Sequence, residues 1–180
     1  GLREAGASDY LRRKKVRAFG VRFAQGRIAV PLRNMAGAMV GLQWIGADGS
    51  KKFLTGTAKS GAFHLIGESV ALARLFNGQR IEGEPPVRIG FAEGYATAAS
   101  VHQAKGLPVV VAFDCANLRR VVGLFRAQFG LDAELLVFAD DDAATAGNPG
   151  RAAAEACVLE HGAQAFLPAF PEGVAGTDWN

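Results

Sequence analysis

Cysteine, tryptophan, tyrosine and methionine each occur only twice in the 180 residues, and histidine three times. Two cysteines, Cys115 and Cys157, build neither a disulfide framework nor a four-cysteine zinc site, so a reducing, cytoplasmic compartment is expected. His64, His102 and His161 stand at no metal-ligand spacing and are expected in core or helix-surface roles. Long apolar runs are missing too. The longest clean one, Leu107–Phe113, falls far short of the roughly 20 residues that cross a bilayer, so no membrane partner is expected. Gly1–Asp9 lacks the basic-then-apolar order of a secretory signal, and a start on Gly rather than Met predicts a piece of a longer protein. With 49% hydrophobic and 21% charged residues, the chain can bury enough surface to fold as a globule, which excludes disorder.

The formal net charge of +3 hides a strong asymmetry. Residues 1–60 carry twelve Lys and Arg against three Asp and Glu; residues 61–180 carry eight against fourteen. A basic front attracts polyanions such as nucleic acid or nucleoside triphosphates. Acidic residues gathered at one point behind it would suit a divalent cation. Arg12–Lys15 reads as a flexible basic rim for nonspecific nucleic-acid contact.

The front half reads as short strands and turns: Phe19–Phe23, Arg27–Leu32, Ala38–Ile45, an Asp48-Gly49 turn, and Lys51–Leu54. Residues 61–76 include a short helix, best over Glu68–Phe76. Gly83-Glu84-Pro85-Pro86 cannot be helix interior and is the expected boundary between residues 1–85 and 86–180. Beyond it, apolar strands alternate with helices. The strands are Val87–Ala92, Val109–Phe113, Leu135–Ala139 and Gln164–Leu167; the helices are Ala96–Lys105, Leu118–Phe129 and Arg151–Glu160. The fold class is α/β: a parallel sheet with helices on both faces, preceded by a smaller β-rich basic subdomain.

In such sheets ligands bind beyond the carboxyl ends of the strands, where strand order reverses. Glu93-Gly94 follows the first strand, Asp114 the second, and Asp140-Asp141-Asp142 the third. A 2-1-3-4 order sets the first and third strands about 4.8 Å apart. Glu93, Asp140 and Asp142 then converge, while Asp141 points away. Carboxylates gathered without a nearby cation repel one another, so a metal between them is expected. All-oxygen ligands favour Mg²⁺ or Mn²⁺ over zinc, and magnesium fills its remaining positions with water and substrate phosphates. Asp114 is open between a second metal site and a cap for the helix behind it. Gly94 leaves the strand end clear for a metal or phosphate.

Phe91-Ala-Glu-Gly-Tyr95 and Val137-Phe-Ala-Asp-Asp-Asp142 resemble the Toprim domain of bacterial-type primases, topoisomerases and some nucleases. Residues 93–99, Val111–Leu118, Asn148-Pro-Gly150 and Thr177–Asn180 are similar to the primases of plasmids, phages and integrating elements. Arg27-Ile with Pro31, the Gly37…Gly41 hairpin and Lys52-Phe-Leu followed by Lys59 are similar to the basic part of a primase core. The resemblance implies catalysis through Glu93, Asp140 and Asp142 and metal binding by these three, with Asp114 and Asp178 as further candidates. Arg27, Lys52 and Lys59 are the expected contacts to triphosphate or template phosphate. Replicative primases usually carry Asp four residues after the Glu, and here Thr97 stands there, leaving one fewer carboxylate unless Asp114 or Asp178 contributes.

The implied function is Mg²⁺-dependent synthesis of RNA primers from nucleoside triphosphates on single-stranded DNA. A separate zinc-binding module and a helicase would complete the system. Two alternatives stand beside it: a Toprim-type nuclease using the same carboxylates, and a nucleic-acid-binding module with a degenerate metal site.

Overall fold

A computed structural model describes residues 1–80, 82–141, 145–169 and 179. Asp142 and Asp178 therefore lie outside the described residues. Helix α1 (Asp9–Arg13) leads into a meander of β1 (Arg22–Ala24), β2 (Arg27–Arg33), β3 (Met39–Ile45) and β4 (Lys51–Phe53), antiparallel in that order. Then come β5 (His64–Ile66), α2 (Val70–Phe76), β6 (Val87–Ala92), α3 (Tyr95–Lys105), β7 (Val109–Val111) and α4 (Cys115–Phe129). The 3₁₀ turn Gly130–Asp132, β8 (Ala133–Phe138), α5 (Pro149–His161) and β9 (Gln164–Phe166) follow.

The second sheet runs β5-β7-β6-β8-β9. Its four later strands are parallel and in the expected order, with the second strand beside the first and the third on its other side. Short β5 adds an antiparallel edge against Val109–Val111. Three residues are too few for a periodic pattern, so sequence reading passed over this strand and found only the helix behind it.

Alternation along the central strands separates two cores. Ile89, Phe91, Val110, Leu135 and Val137 face α2, α4 and α5. Ala92, Val109, Val111, Leu136 and Phe138 face α3, α1 and the meander, meeting Tyr95, Tyr10, Ile28, Val30 and Ile45. Residues covered on both faces read as unbroken apolar runs, as these do. Tyr10 and Leu11 are buried, so Arg12 and Arg13, in the last turn of α1, belong to a helix anchored by its apolar side. Arg13 Nη1 donates to the Ala47 carbonyl at 2.8 Å, tying α1 to the β3–β4 turn. Tyr95 stitches the layers, its hydroxyl accepting from the Phe19 amide at 2.6 Å. Among the described residues no helix is long and apolar enough to cross a membrane.

Phe125 of α4 meets the rings of Phe63, Phe76, Phe91 and Phe129 with centroids 5.1–6.0 Å apart, all steeply inclined. It is fully buried. Phe125→Ala should lower unfolding free energy by about 3–5 kcal/mol, read from the denaturant midpoint; a change under about 1 kcal/mol would show that this cluster does not anchor α4.

Candidate functional site

The carboxyl ends of β6 and β8 define the site. Their last register pair is Ala92 with Phe138, so Glu93 and Asp140 leave the sheet at nearly the same height. Both are half-buried. Gly150, in the first turn of α5, closes the space between them. A Cβ there would stand inside contact distance of the Asp140 carbonyl oxygen and 3.2 Å from Glu93 Oε1. This steric demand explains Gly150 in the Asn148-Pro-Gly150 motif.

Thr97 lies one helical turn beyond Glu93, 3% exposed, and its hydroxyl donates to Asp140 Oδ1 at 3.3 Å. The position where an extra acid was in question thus carries a neutral hydroxyl donor. Asp141 faces elsewhere. It accepts from Asn148 Nδ2 at 2.6 Å and lies 3.8 Å from Arg151 Nη2. Asn148 in turn caps α5, its Oδ1 accepting from the Arg151 amide at 3.4 Å.

At the end of β7, Asp114 caps α4: its Oδ1 accepts from the Asn117 amide at 2.8 Å. Its other oxygen is ion-paired with Lys59. Asp114 and Lys59, expected at metal and phosphate respectively, are therefore engaged with each other. Cys115 lies nearby, and its thiol pKa is raised by burial and then by the charges of Glu93 and Asp114. Cys157 is fully buried, which pushes its thiol up to about 12, with the Glu160 charge adding to the effect.

Across the acidic strand ends stands a cationic wall. A cleft of about 320 Å³ is lined by Arg13, Lys14, Lys51 and Asp48 on one side and Gly94, Thr97 and Asp140 on the other. Lys51 Nζ is 3.6 Å from where a Gly94 Cβ would stand. The Lys51 ammonium therefore lies over this strand end within ordinary contact distance. Asp48 is held by Ser50, whose hydroxyl and amide donate to Oδ1 at 2.7 and 2.9 Å and lower its pKa.

The expected basic residues do not gather here. Lys52 opposes Trp44, while Lys51 opposes the buried Ile45. Alternation therefore turns Lys51 inward and Lys52 to the outer face of the meander. Arg27 is on that outer face too, its guanidinium 4.8 Å above the Trp44 ring. Sequence reading missed Lys51, Arg13 and Lys14 as site residues. The signal for Lys51 was its pairing with Ile45 around the Asp48-Gly49 turn; none existed for α1, whose position depends on distant packing.

Among the described residues no three of Asp, Glu, His and Cys are close enough together to hold a metal ion. Glu93 and Asp140 supply carboxylate oxygens at the strand ends, the ligand type that magnesium takes. The donor set is all oxygen, as a hard cation requires.

The chain has relatives among known proteins. The chain is 36% identical over 148 residues to DNA primase TraC of Escherichia coli, a match covering 80% of this chain and 13% of TraC. The chain thus spans only about an eighth of that relative's length. Its fold is similar to the primase fragment of the bacteriophage T7 primase-helicase protein, with TM-score 0.54, 18% identity and coverage of 94% of this chain and 62% of that one. It is also similar to the RNA polymerase domain of Mycobacterium tuberculosis primase DnaG, with TM-score 0.52, 20% identity and coverage of 91% and 55%. Residues 88–180, the segment that supplies Glu93, Asp140 and Gly150, match the Toprim domain model. The chain belongs to the Toprim domain family.

Proposed function

We propose that this chain is the nucleotide-joining core of a DNA primase, making RNA primers on single-stranded DNA. One observation carries the reading: cationic Lys51, Arg13 and Lys14 line a single cleft with Asp140 and Gly94, the residue after Glu93. Phosphoryl transfer needs both signs there, because a triphosphate must be neutralised while a cation is held beside it. The similarity to TraC over four-fifths of the chain supports the same reading.

In this proposal Glu93 and Asp140, with Asp142, hold Mg²⁺ or Mn²⁺. When bound, the cation supplies positive charge against the triphosphate oxygens. Thr97 orients Asp140 through its hydroxyl. Lys51, Arg13 and Lys14 grip the outer phosphates as pyrophosphate leaves and the primer's 3′ oxygen bonds to the α-phosphorus. Arg27 and Lys52, outside the cleft, are assigned to template phosphate. Residues 1–85 supply most of the positive charge and residues 86–180 the acids, although β5 and α2 of the first segment are built into the layers of the second sheet.

Asp140→Asn should abolish primer synthesis by the full-length protein and weaken Mn²⁺ binding in calorimetric titration, with DNA affinity kept or slightly raised. Wild-type protein that binds no Mn²⁺ would instead favour a nucleic-acid-binding module without metal chemistry. Lys51→Ala removes a charge-assisted contact worth about 1.5–3 kcal/mol, so apparent KM for nucleotide should rise about ten- to a hundredfold. Lys52→Ala should leave that KM unchanged and weaken DNA binding, which falls steeply as salt rises. Equal KM effects at the two positions would refute the assignment by strand face. Gly150→Ala forces a methyl against the Asp140 carbonyl and should cost most of the activity; full activity would show that the Glu93–Asp140 spacing is unimportant.

A further inference from the structure

Phe113 is the last residue before the Asp114 cap, and its φ of 75° lies in the left-handed region that bulky side chains avoid. A conformation of this kind persists only where surrounding contacts over-determine it. Phe113 is 8% exposed, and its ring meets Phe53 of β4 at a centroid distance of 5.9 Å and an interplanar angle of 70°. Phe53 is itself 39% exposed. Lys59 Nζ lies 5.7 Å above the Phe53 ring and is ion-paired with Asp114, the residue after Phe113. Two contacts thus run from the end of β7 to β4 and the loop behind it.

β4 needs such an anchor. It is a three-residue strand at the open edge of the meander, paired on one side only, and all its residues are exposed. Its inward face carries two side chains: Phe53, which meets Phe113, and Lys51, which lies over Gly94. Because residues two apart share a face, holding Phe53 sets the height and direction of Lys51.

We propose that Phe53 and Phe113, closed by the Lys59–Asp114 pair, form a clasp that positions Lys51 over the acidic strand ends. The left-handed turn at Phe113 aims the ring at β4 and so connects the Toprim sheet to the basic meander. Phe53 and Phe113 are positioning residues, acting on nucleotide through Lys51. The inference rests on the assignment of Lys51 to the triphosphate.

The test is a double-mutant cycle in the full-length protein, read as KM for nucleotide against kcat, with DNA affinity and melting temperature as controls. Phe53→Ala, at a half-exposed ring, should raise KM about tenfold with kcat and DNA affinity little changed, since small misplacements of a binding group are costly. Adding it to Lys51→Ala should leave KM within about twofold of Lys51→Ala alone, because its effect passes through that ammonium. Phe113→Gly, which keeps the left-handed turn and deletes the ring, should reproduce the KM increase, and Phe53→Trp should restore near-normal KM. An unchanged KM in Phe53→Ala, or multiplying effects in the double variant, would overturn the clasp while leaving Lys51's role intact. A silent Lys51→Ala would remove the triphosphate assignment and the clasp with it.

Discussion

The site depends on the register between β6 and β8. Six consecutive pairs, from Val87 with Ala133 to Ala92 with Phe138, bring the two strands to a common end. A slip of one residue would reverse every side chain on the moving strand. For a slip of β8, Val137 would leave the helical core and Phe138 the core shared with the meander. Burial on both faces therefore fixes the relative height of Glu93 and Asp140 more firmly than any contact the acids make themselves.

Around that fixed point charges of both signs are brought together, some of them in ion pairs. Asp141 is held by Asn148 and Arg151, and Asp114 by Lys59 and the α4 cap. Asp140 and Gly94, the residue after Glu93, line the same cleft as Lys51, Lys14 and Arg13. Thr97 contributes a hydrogen bond there without adding another negative charge. The result is a short gradient from anionic strand ends to a cationic wall, strengthened because the flanking layers exclude water from one side.

Rigidity is distributed unevenly across this gradient. The acids stand on central strands between two cores. The cations stand on an edge strand and on a five-residue helix, held by a few specific contacts: Arg13 to the Ala47 carbonyl, Phe53 to Phe113, Lys59 to Asp114. The buried residues of the second sheet tolerate little change, whereas the cationic wall depends on individual side chains.

Much of this was legible in the linear chain. Apolar runs such as Val109–Val111 and Leu135–Phe138, punctuated by Gly106, Gly130 and Gly162, specify buried parallel strands and their helices, because burial on both faces and left-handed helix ends each demand particular residue types. Placement of Glu93 and Asp140 followed directly, since strand ends are local features. The sequence alone did not reveal which lysine of the Lys51-Lys52 pair faces the acids, that α1 returns to line the cleft, or that Asp114 and Lys59 meet. Those facts depend on a single strand's parity and on contacts between residues tens of positions apart. Only packing the basic layer onto the acidic sheet decides them.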